Sequence, residues 1–154
     1  MKSIFGDDRR RINHALAVLK YAERIYTVEG GDSNVVTAAA ILHDIGIHEA
    51  EHKYGSAAGK YQEIEGPPIA KRILEEEEFP CKTIEHVCKI IANHHSAKDI
   101  DTLEFRIIWD ADWLVNLPDE CGKMSKDKLK EFIEKIFKTN KGKQLAKELY
   151  LNGD

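Results

Sequence analysis

An all-α, single-domain bundle of six or seven helices is the fold that the sequence predicts, on three observations. Apolar residues recur at helical spacing along most of the chain. One run, VVTAAAIL at 35–42, is apolar nearly all round and suits a central, buried helix. No convincing β-hairpin or βαβ pattern occurs, FRIIW at 105–109 being the one short run of strand character.

The elements follow in order. The first helix runs from Arg9 to Tyr26, with Ile12, Ala15, Leu16, Leu19, Ala22 and Tyr26 on its apolar stripe, and Gly30-Gly31 ends it. Asp32 or Ser33 caps the second, which runs through Val35-Val36 to Leu42. Gly46 lets the chain bend near its end. Residues 47–66 are polar and punctuated by Gly55, Gly59 and Gly66, which predicts an irregular segment. The third helix begins at Pro67-Pro68, since proline suits a first turn, and runs through Ile69, Ala70, Ile73 and Leu74 to the acidic run Glu75–Glu78. The fourth spans Cys81 to Asn93, with Ile84, Val87, Cys88 and Ile91 on one face. The fifth covers Leu103 to Leu117 and stops at Pro118. One or two more follow, on Leu129, Phe132, Ile133, Ile136 and Phe137, then on Leu145, Ala146 and Leu149. The expected domain occupies 1–154, with a core at 9–117 and C-terminal helices at 124–151.

Composition narrows the function classes. The 154 residues suffice for one core, and 42% hydrophobic with 32% charged residues is the balance of a soluble folded protein. With 23 basic and 27 acidic residues, the net charge of -4 argues against a nucleic-acid polymer or a membrane as partner. Basic clusters at Arg9-Arg10-Arg11 and around Lys123–Lys143 read as solvated faces. Cys81, Cys88 and Cys121 are odd in number and form no C-x-x-C, so reduced thiols in a cytoplasmic protein are expected. No apolar run reaches the ~20 residues of a membrane span. The start MKSIFGDDRRRIN turns polar too soon for a secretory signal.

Some polar residues do not belong where they stand. His43 and Asp44 close the most apolar helix of the chain, where an ionisable group needs a partner. A buried His–Asp pair and a shared cation both satisfy that need. The first helix adds Asn13-His14, and the fifth adds Asp110 and Asp112 within IIWDADWLVNL. No Lys or Arg lies between Ile107 and Leu117, so the partner of those carboxylates comes from elsewhere. A metal ion explains His14, His43, Asp44 and one aspartate of DAD together. Nitrogen and oxygen donors suit Mn, Fe, Co, Ni or Zn, with Mg also compatible.

RINH (Arg11–His14), AAAILHDIG (Ala38–Gly46) and DADWL (Asp110–Leu114), in this order, resemble the HD-domain superfamily of metal-dependent phosphohydrolases. The resemblance covers roughly residues 9–117, and GKQLAKE (Gly142–Glu148) is similar to the tail of small bacterial members. It implies an HD-domain-like bundle with His14, His43, Asp44 and Asp112 as metal ligands. Asp112 is preferred to Asp110 because the family's last aspartate sits in an A-D-x-L context, here Ala111-Asp112-Trp113-Leu114. Asp110 is then a helix-packing residue or supports a ligand. The sequence departs from the family at Ile47, where a lysine often follows HDIG. It departs again at Tyr61–Gly66, where two-metal members carry an extra histidine and this chain has Gln62, Glu63 and Glu65. His94 or His95 matches a further histidine of two-metal members, so one ion is expected and a second stays open. Glu63 or Glu65 offers oxygen to it or is simply a solvated glutamate.

The resemblance implies hydrolysis of a nucleotide or other small phosphate ester or anhydride by a metal-activated water. In that expectation Asp44 serves both metal and catalysis, and Asp110 or Glu49 manages the water proton. His94 or His95 orients phosphate, assists the leaving group or holds a second ion. Arg11 contacts phosphate, as does Lys53 or Lys60. The substrate is expected to be a small phosphorylated molecule; monomer and homo-oligomer stay open.

Two other readings compete. A non-catalytic module can use the same residues to sense a nucleotide or a metal. His48-Glu49-Ala50-Glu51-His52 also spells the H-E-x-x-H of zinc peptidases. That motif needs a long, partly apolar helix and a third ligand, whereas Gly46 and Gly55 leave barely two turns here. The segment is better read as an exposed polar loop, with His48, Glu49, His52 or Lys53 left open as lining the pocket mouth and touching substrate. GSAAGKY (Gly55–Tyr61) is one residue short of a P-loop and follows no strand. His86 reads as structural, the EEEE run as a solvated helix end, and Trp109 and Trp113 as core packing, with one able to border the pocket.

Overall fold

Helical periodicity is realised along nearly the whole chain. A computed structural model describes residues 5–152; the ends of the expected domain, 1–4 and 153–154, lie outside the described residues. The helices are α1 (Arg9–Glu29), α2 (Ser33–Leu42), α3 (Ile47–Tyr54), α4 (Gly59–Glu76), α5 (Cys81–Asn93), α6 (Leu103–Cys121), α7 (Lys126–Ile136) and α8 (Asn140–Tyr150). No strand occurs among the described residues, and the FRIIW run lies within α6. None of the described helices is long and apolar enough to cross a membrane.

α2 is the central helix. Val35, Val36, Ala38, Ala39, Ala40 and Leu42 are all buried, and the helix packs against α1, α5 and α6. The Asp32 side chain caps it by accepting from the backbone N–H of Asn34 and Val35. α4 and α5 form an adjacent pair, α3 lies on α4, and α8 closes against α6 and α1. On α1 the buried stripe is Ala15, Val18, Ala22 and Ile25. The expected stripe is therefore corrected: Leu16 points outward, 47% exposed.

The segment expected to be irregular is largely helical. Between Gly46 and Gly55, IHEAEHKY contains no breaker, and it buries Ile47 and Ala50 against α4. Gly55 ends the helix in the left-handed conformation, at φ 64°. α4 then begins at Gly59, so Pro67 and Pro68 lie inside a helix rather than opening one. The turn that precedes them buries Gln62, Glu65 and Gly66, and this packing carries the helix through.

α6 passes its own proline in the same way. Pro118 lacks the N–H that would bond the Leu114 carbonyl four residues back. The Tyr150 hydroxyl of α8 donates to that carbonyl instead, at 2.6 Å. With its acceptor satisfied, α6 continues to the buried Cys121. Tyr150→Phe is expected to cost about 1–2 kcal/mol, the penalty of a buried acceptor left unpaired. In a Pro118→Ala background the cost is smaller, because the restored N–H reaches Leu114. Urea denaturation of the four proteins of this cycle measures it.

Gly46 has a second function beyond turning the chain. Its φ of -80° is open to any residue. What demands glycine is proximity to α4: a Cβ here would lie 2.7 Å from the Gly66 nitrogen and 2.8 Å from the Gln62 carbonyl. Gly66 is constrained in turn, since its Cβ would lie 2.6 Å from Ile91 Cγ2 of α5. The turn that follows α2 therefore rests directly on the backbone of α4.

Candidate metal centre

Four helices and one turn deliver the polar residues of the core to one place. His43 is the C-cap of α2, and Asp44 follows it in the turn. The His43 ring is fixed by Nδ1 donating to the Ala40 carbonyl at 2.8 Å, which leaves Nε2 facing outward from the helix end. His94, the C-cap of α5, uses the same device, with Nδ1 donating to the Ile91 carbonyl at 2.6 Å. His14 comes from α1 and Asp112 from α6.

The donor atoms converge. His14 Nε2 lies 3.1 Å from Asp112 Oδ1 and 3.2 Å from Asp44 Oδ2. His43 Nε2 lies 3.3 Å from Asp44 Oδ2 and 3.4 Å from both Asp112 Oδ1 and His14 Nε2. The other oxygen of Asp44 faces elsewhere, with Oδ1 at 3.4 Å from His94 Nε2. Donor atoms of His14, His43 and Asp112 lie within 4.8 Å of one another, and so do those of Asp44, His94 and His95. Asp44 sits at the junction of the two groups.

The electrostatics of the cluster call for a cation. Burial disfavours a charged His14, but Asp112 and Asp44 outweigh it and raise its pKa to about 9. His43 is likewise held well above its ordinary value by the same two carboxylates, despite complete burial. Burial would push Asp44 and Asp112 up, yet the histidines hold both well below the usual carboxylate range. Protons on the imidazoles thus stand where a metal ion would stand, and an ion seated there displaces them. His94 Nε2 is buried and makes no hydrogen bond. This orphaned nitrogen beside a carboxylate oxygen, together with the nitrogen–oxygen donor set, fits a divalent cation.

His95 completes the second group with support from α4. Its Nε2 lies 3.0 Å from Gln62 Oε1, while Gln62 Nε2 donates to the Ala57 carbonyl at 2.7 Å. Gly59 leaves room for the ring, since a Cβ there would lie 2.8 Å from His95 Cγ. Burial and the neighbouring His94 lower the pKa of His95 to about 4, so it presents a neutral lone pair at pH 7.

A pocket of about 430 Å³ opens over the cluster. His14, Asp44, Asp112 and His95 form its floor, and Arg10, Arg11, Asn13, Asn116 and Asp119 are among its walls. Asn116 also donates to Asp112 Oδ1 at 3.1 Å. Asn116 and Asp119 escaped the sequence reading, though Asn116 stands one turn beyond Asp112. Gln62 stands in the stretch where two-metal members carry a histidine, and Arg10, expected on a solvated face, is corrected to a pocket wall.

Several expected site residues lie elsewhere. Asp110 is fully buried and faces the C-terminal segment, accepting from Lys138 N at 2.8 Å, Thr139 N at 2.7 Å and Thr139 Oγ1 at 2.6 Å. It cannot manage a proton in the pocket. Burial raises its pKa to about 6 against the pull of those donors. Gly142 leaves space for it, as a Cβ there would collide with the Asp110 carboxylate. Lys53 pairs with Glu65 at 3.0 Å and Glu49 at 3.7 Å, and Lys60 lies over the Tyr61 ring at 4.9 Å; none of these lines the pocket. Glu49 is thereby also removed from proton transfer. Glu63 accepts from His95 N, Ser96 N and Ser96 Oγ, and Glu65 from Lys53 and Tyr54, so neither glutamate faces the cluster. His48 pairs with Asp8 at 3.1 Å, and no donor group among the described residues includes His48 or His52.

The two aspartates of DAD should therefore fail differently. Asp110→Ala is expected to lose about 2–4 kcal/mol of stability, through three buried donors left unpaired, and to keep its metal. Asp112→Ala is expected to lose metal at little cost in stability. Thermal melts paired with elemental analysis separate the two.

Comparison with known proteins adds two findings. A family model described as HD domain matches residues 11–117. A crystal structure of a predicted HD superfamily hydrolase from an uncultured Thermotogales bacterium is similar, with a TM-score of 0.71 and 26% identity, over 98% of this chain and 81% of that one. No curated protein matches the chain.

Proposed function

Because the chain belongs to the HD-domain family, we propose that it is a metal-dependent phosphohydrolase acting on a small phosphate ester or anhydride. The observation that carries this reading is Asp44 with His14, His43 and Asp112, converging at the base of a pocket whose wall bears two arginines. These four residues would hold a divalent ion, and Asp44, His94 and His95 could hold a second. Bound there, the metal polarises a phosphoryl oxygen and lowers the pKa of a water.

The chain's own residues supply the rest. Neither Arg10 nor Arg11 has an ion pair among the described residues, so both guanidiniums are free to grip phosphate oxygens, Arg11 as expected and Arg10 as an addition. The hydrogen bonds from His43 to Ala40 and from His94 to Ile91 hold each ring in place before substrate arrives. Asn116 orients Asp112. In hydrolysis of an ester, the water oxygen bonds to phosphorus as the bond to the ester oxygen breaks. The departing oxygen takes a proton and leaves as an alcohol. The three free thiols suit a reducing cytoplasm.

Purified protein loaded in turn with Mn, Co, Ni or Mg, assayed against a panel of nucleotides and phosphate esters, tests this. Metal-stimulated phosphate release is the expected result. Tight nucleotide binding with no turnover under any metal would make the protein a sensor instead.

A further inference from the structure

Trp109 and Trp113 pack in the core as expected, and both also line a recess beside the metal cluster. The recess holds about 150 Å³ and meets the main pocket at Asp112, Asn116 and His95. The turn of α6 explains the division, since successive residues differ by about 100° in direction. Val115 and Asp119 line only the main pocket, together with α1. Trp109, Trp113 and Glu120 point about 120° away from them and line only the recess. Asp112 and Asn116 fall between the two directions and line both. His94 and His95, at the end of α5, complete the recess.

Both indoles are fixed by α7 and the segment after it. Trp109 Nε1 donates to the Ile136 carbonyl at 3.1 Å, and Lys138 Nζ lies over the Trp109 ring at 5.0 Å. Trp113 meets Phe132 edge to face, with centroids 5.2 Å apart. Neither ring is fully buried, so each keeps surface for the recess.

We infer that this recess binds the organic group of the substrate, and that the group carries a planar aromatic ring. The inference rests on the hydrolase reading above. A phosphate gripped by Arg10 and Arg11 lies in the main pocket. The two spaces meet at Asp112, a residue of the metal cluster, so a group a few bonds from that phosphorus reaches the recess. At about 150 Å³ it is well below the ~300 Å³ at which pockets for whole ligands begin, and it admits one group of a ligand. Two indoles already held in place favour a flat ring there over an alkyl chain, because stacked or edge-on contacts form without ordering a side chain.

The test compares kcat/KM for benzyl phosphate and ethyl phosphate, with Mn in excess. The two leaving alcohols differ little in acidity, so the comparison reads the binding of the ring. Benzyl phosphate is expected to be preferred by about tenfold or more, mainly through KM. Trp113→Ala should narrow that preference by about tenfold, whereas Trp113→Phe, which keeps a ring beside Phe132, should retain most of it. The chain's two tryptophans both line the recess, so their fluorescence gives a reading free of turnover. Benzylphosphonate, which has no ester bond to cleave, should change the emission of the metal-loaded protein, and ethylphosphonate should not. Equal kcat/KM for the two esters overturns the inference and leaves the hydrolase reading standing. So does a preference that survives intact in Trp113→Ala, or an emission that benzylphosphonate leaves unmoved. Absence of turnover on every phosphate compound overturns the hydrolase reading, and the inference with it.

Discussion

Asp44→Ala is expected to strip the protein of metal and reduce hydrolysis by about a thousandfold or more, while its helical content stays unchanged. The metal's electrophilic assistance is worth several kcal/mol, and each 1.36 kcal/mol is tenfold in rate. Asp44 has this reach because it joins the two donor groups, with Oδ2 at 3.2 Å from His14 and Oδ1 at 3.4 Å from His94. Its place in a turn, rather than within a helix, is why the fold should survive. Asp44→Asn keeps the shape and removes the charge, and should lose most of its metal too, because a neutral amide cannot offset a divalent cation. Elemental analysis and far-ultraviolet circular dichroism on the same samples read both quantities. Full metal content in the alanine variant would remove Asp44 from the centre.

Gly46→Ala should be strongly destabilising for a change of one carbon. The added methyl would sit 2.7 Å from the Gly66 nitrogen, 3.0 Å from Gly66 Cα and 2.8 Å from the Gln62 carbonyl. All three are backbone atoms, which cannot swing aside as a side chain does. Overpacking of this kind costs about 1–3 kcal/mol, and the upper part of that range lowers Tm by roughly 5–10 °C in a domain of this size. The turn carrying His43 and Asp44 must lift from α4, so metal affinity should fall along with stability. Gly55→Asn is the control. Gly55 adopts φ +64° with nothing within 4 Å of its Cβ position, and asparagine tolerates that conformation. Differential scanning calorimetry of the two variants, with and without Mn, separates the effects.

The residues most legible in the sequence are those at odds with their surroundings. His43, Asp44, Asp110 and Asp112 interrupt apolar helices, and an ionisable group there demands a partner. The all-α architecture was legible for the same reason, since apolar spacing marks the buried faces of α2, α5 and α6. What the pattern could not assign is the partner. Asp110 and Asp112 look alike in DAD, but two residues rotate α6 by about 200°, which sends one into the α7–α8 connection and the other into the metal cluster.

Glycine and proline misled where they serve packing rather than chain reversal. Gly46 and Gly55 read as loop punctuation, yet they bracket α3. Pro67 and Pro68 read as a helix start, yet α4 runs through them because Gln62, Glu65 and Gly66 are buried just before. Pro118 read as a stop, yet Tyr150, 32 residues further on by sequence number, supplies the hydrogen bond it forfeits. Such compensation comes from distant residues, and no local pattern encodes it. Lys53 lies off the pocket on the same ground, because its partner Glu65 is set by the packing of α3 on α4, whereas Lys60 lies over the ring of its own neighbour Tyr61.

The central claim is that His14, His43, Asp44 and Asp112 together hold a divalent metal. Crystals of protein loaded with Mn or Zn, with diffraction recorded on both sides of that metal's absorption edge, test it most directly. The account predicts an anomalous peak at bonding distance from His14 Nε2, His43 Nε2, Asp44 Oδ2 and Asp112 Oδ1. A loaded protein whose anomalous peak lies elsewhere, beside His48 and His52 for instance, with these four atoms free of metal, would contradict it.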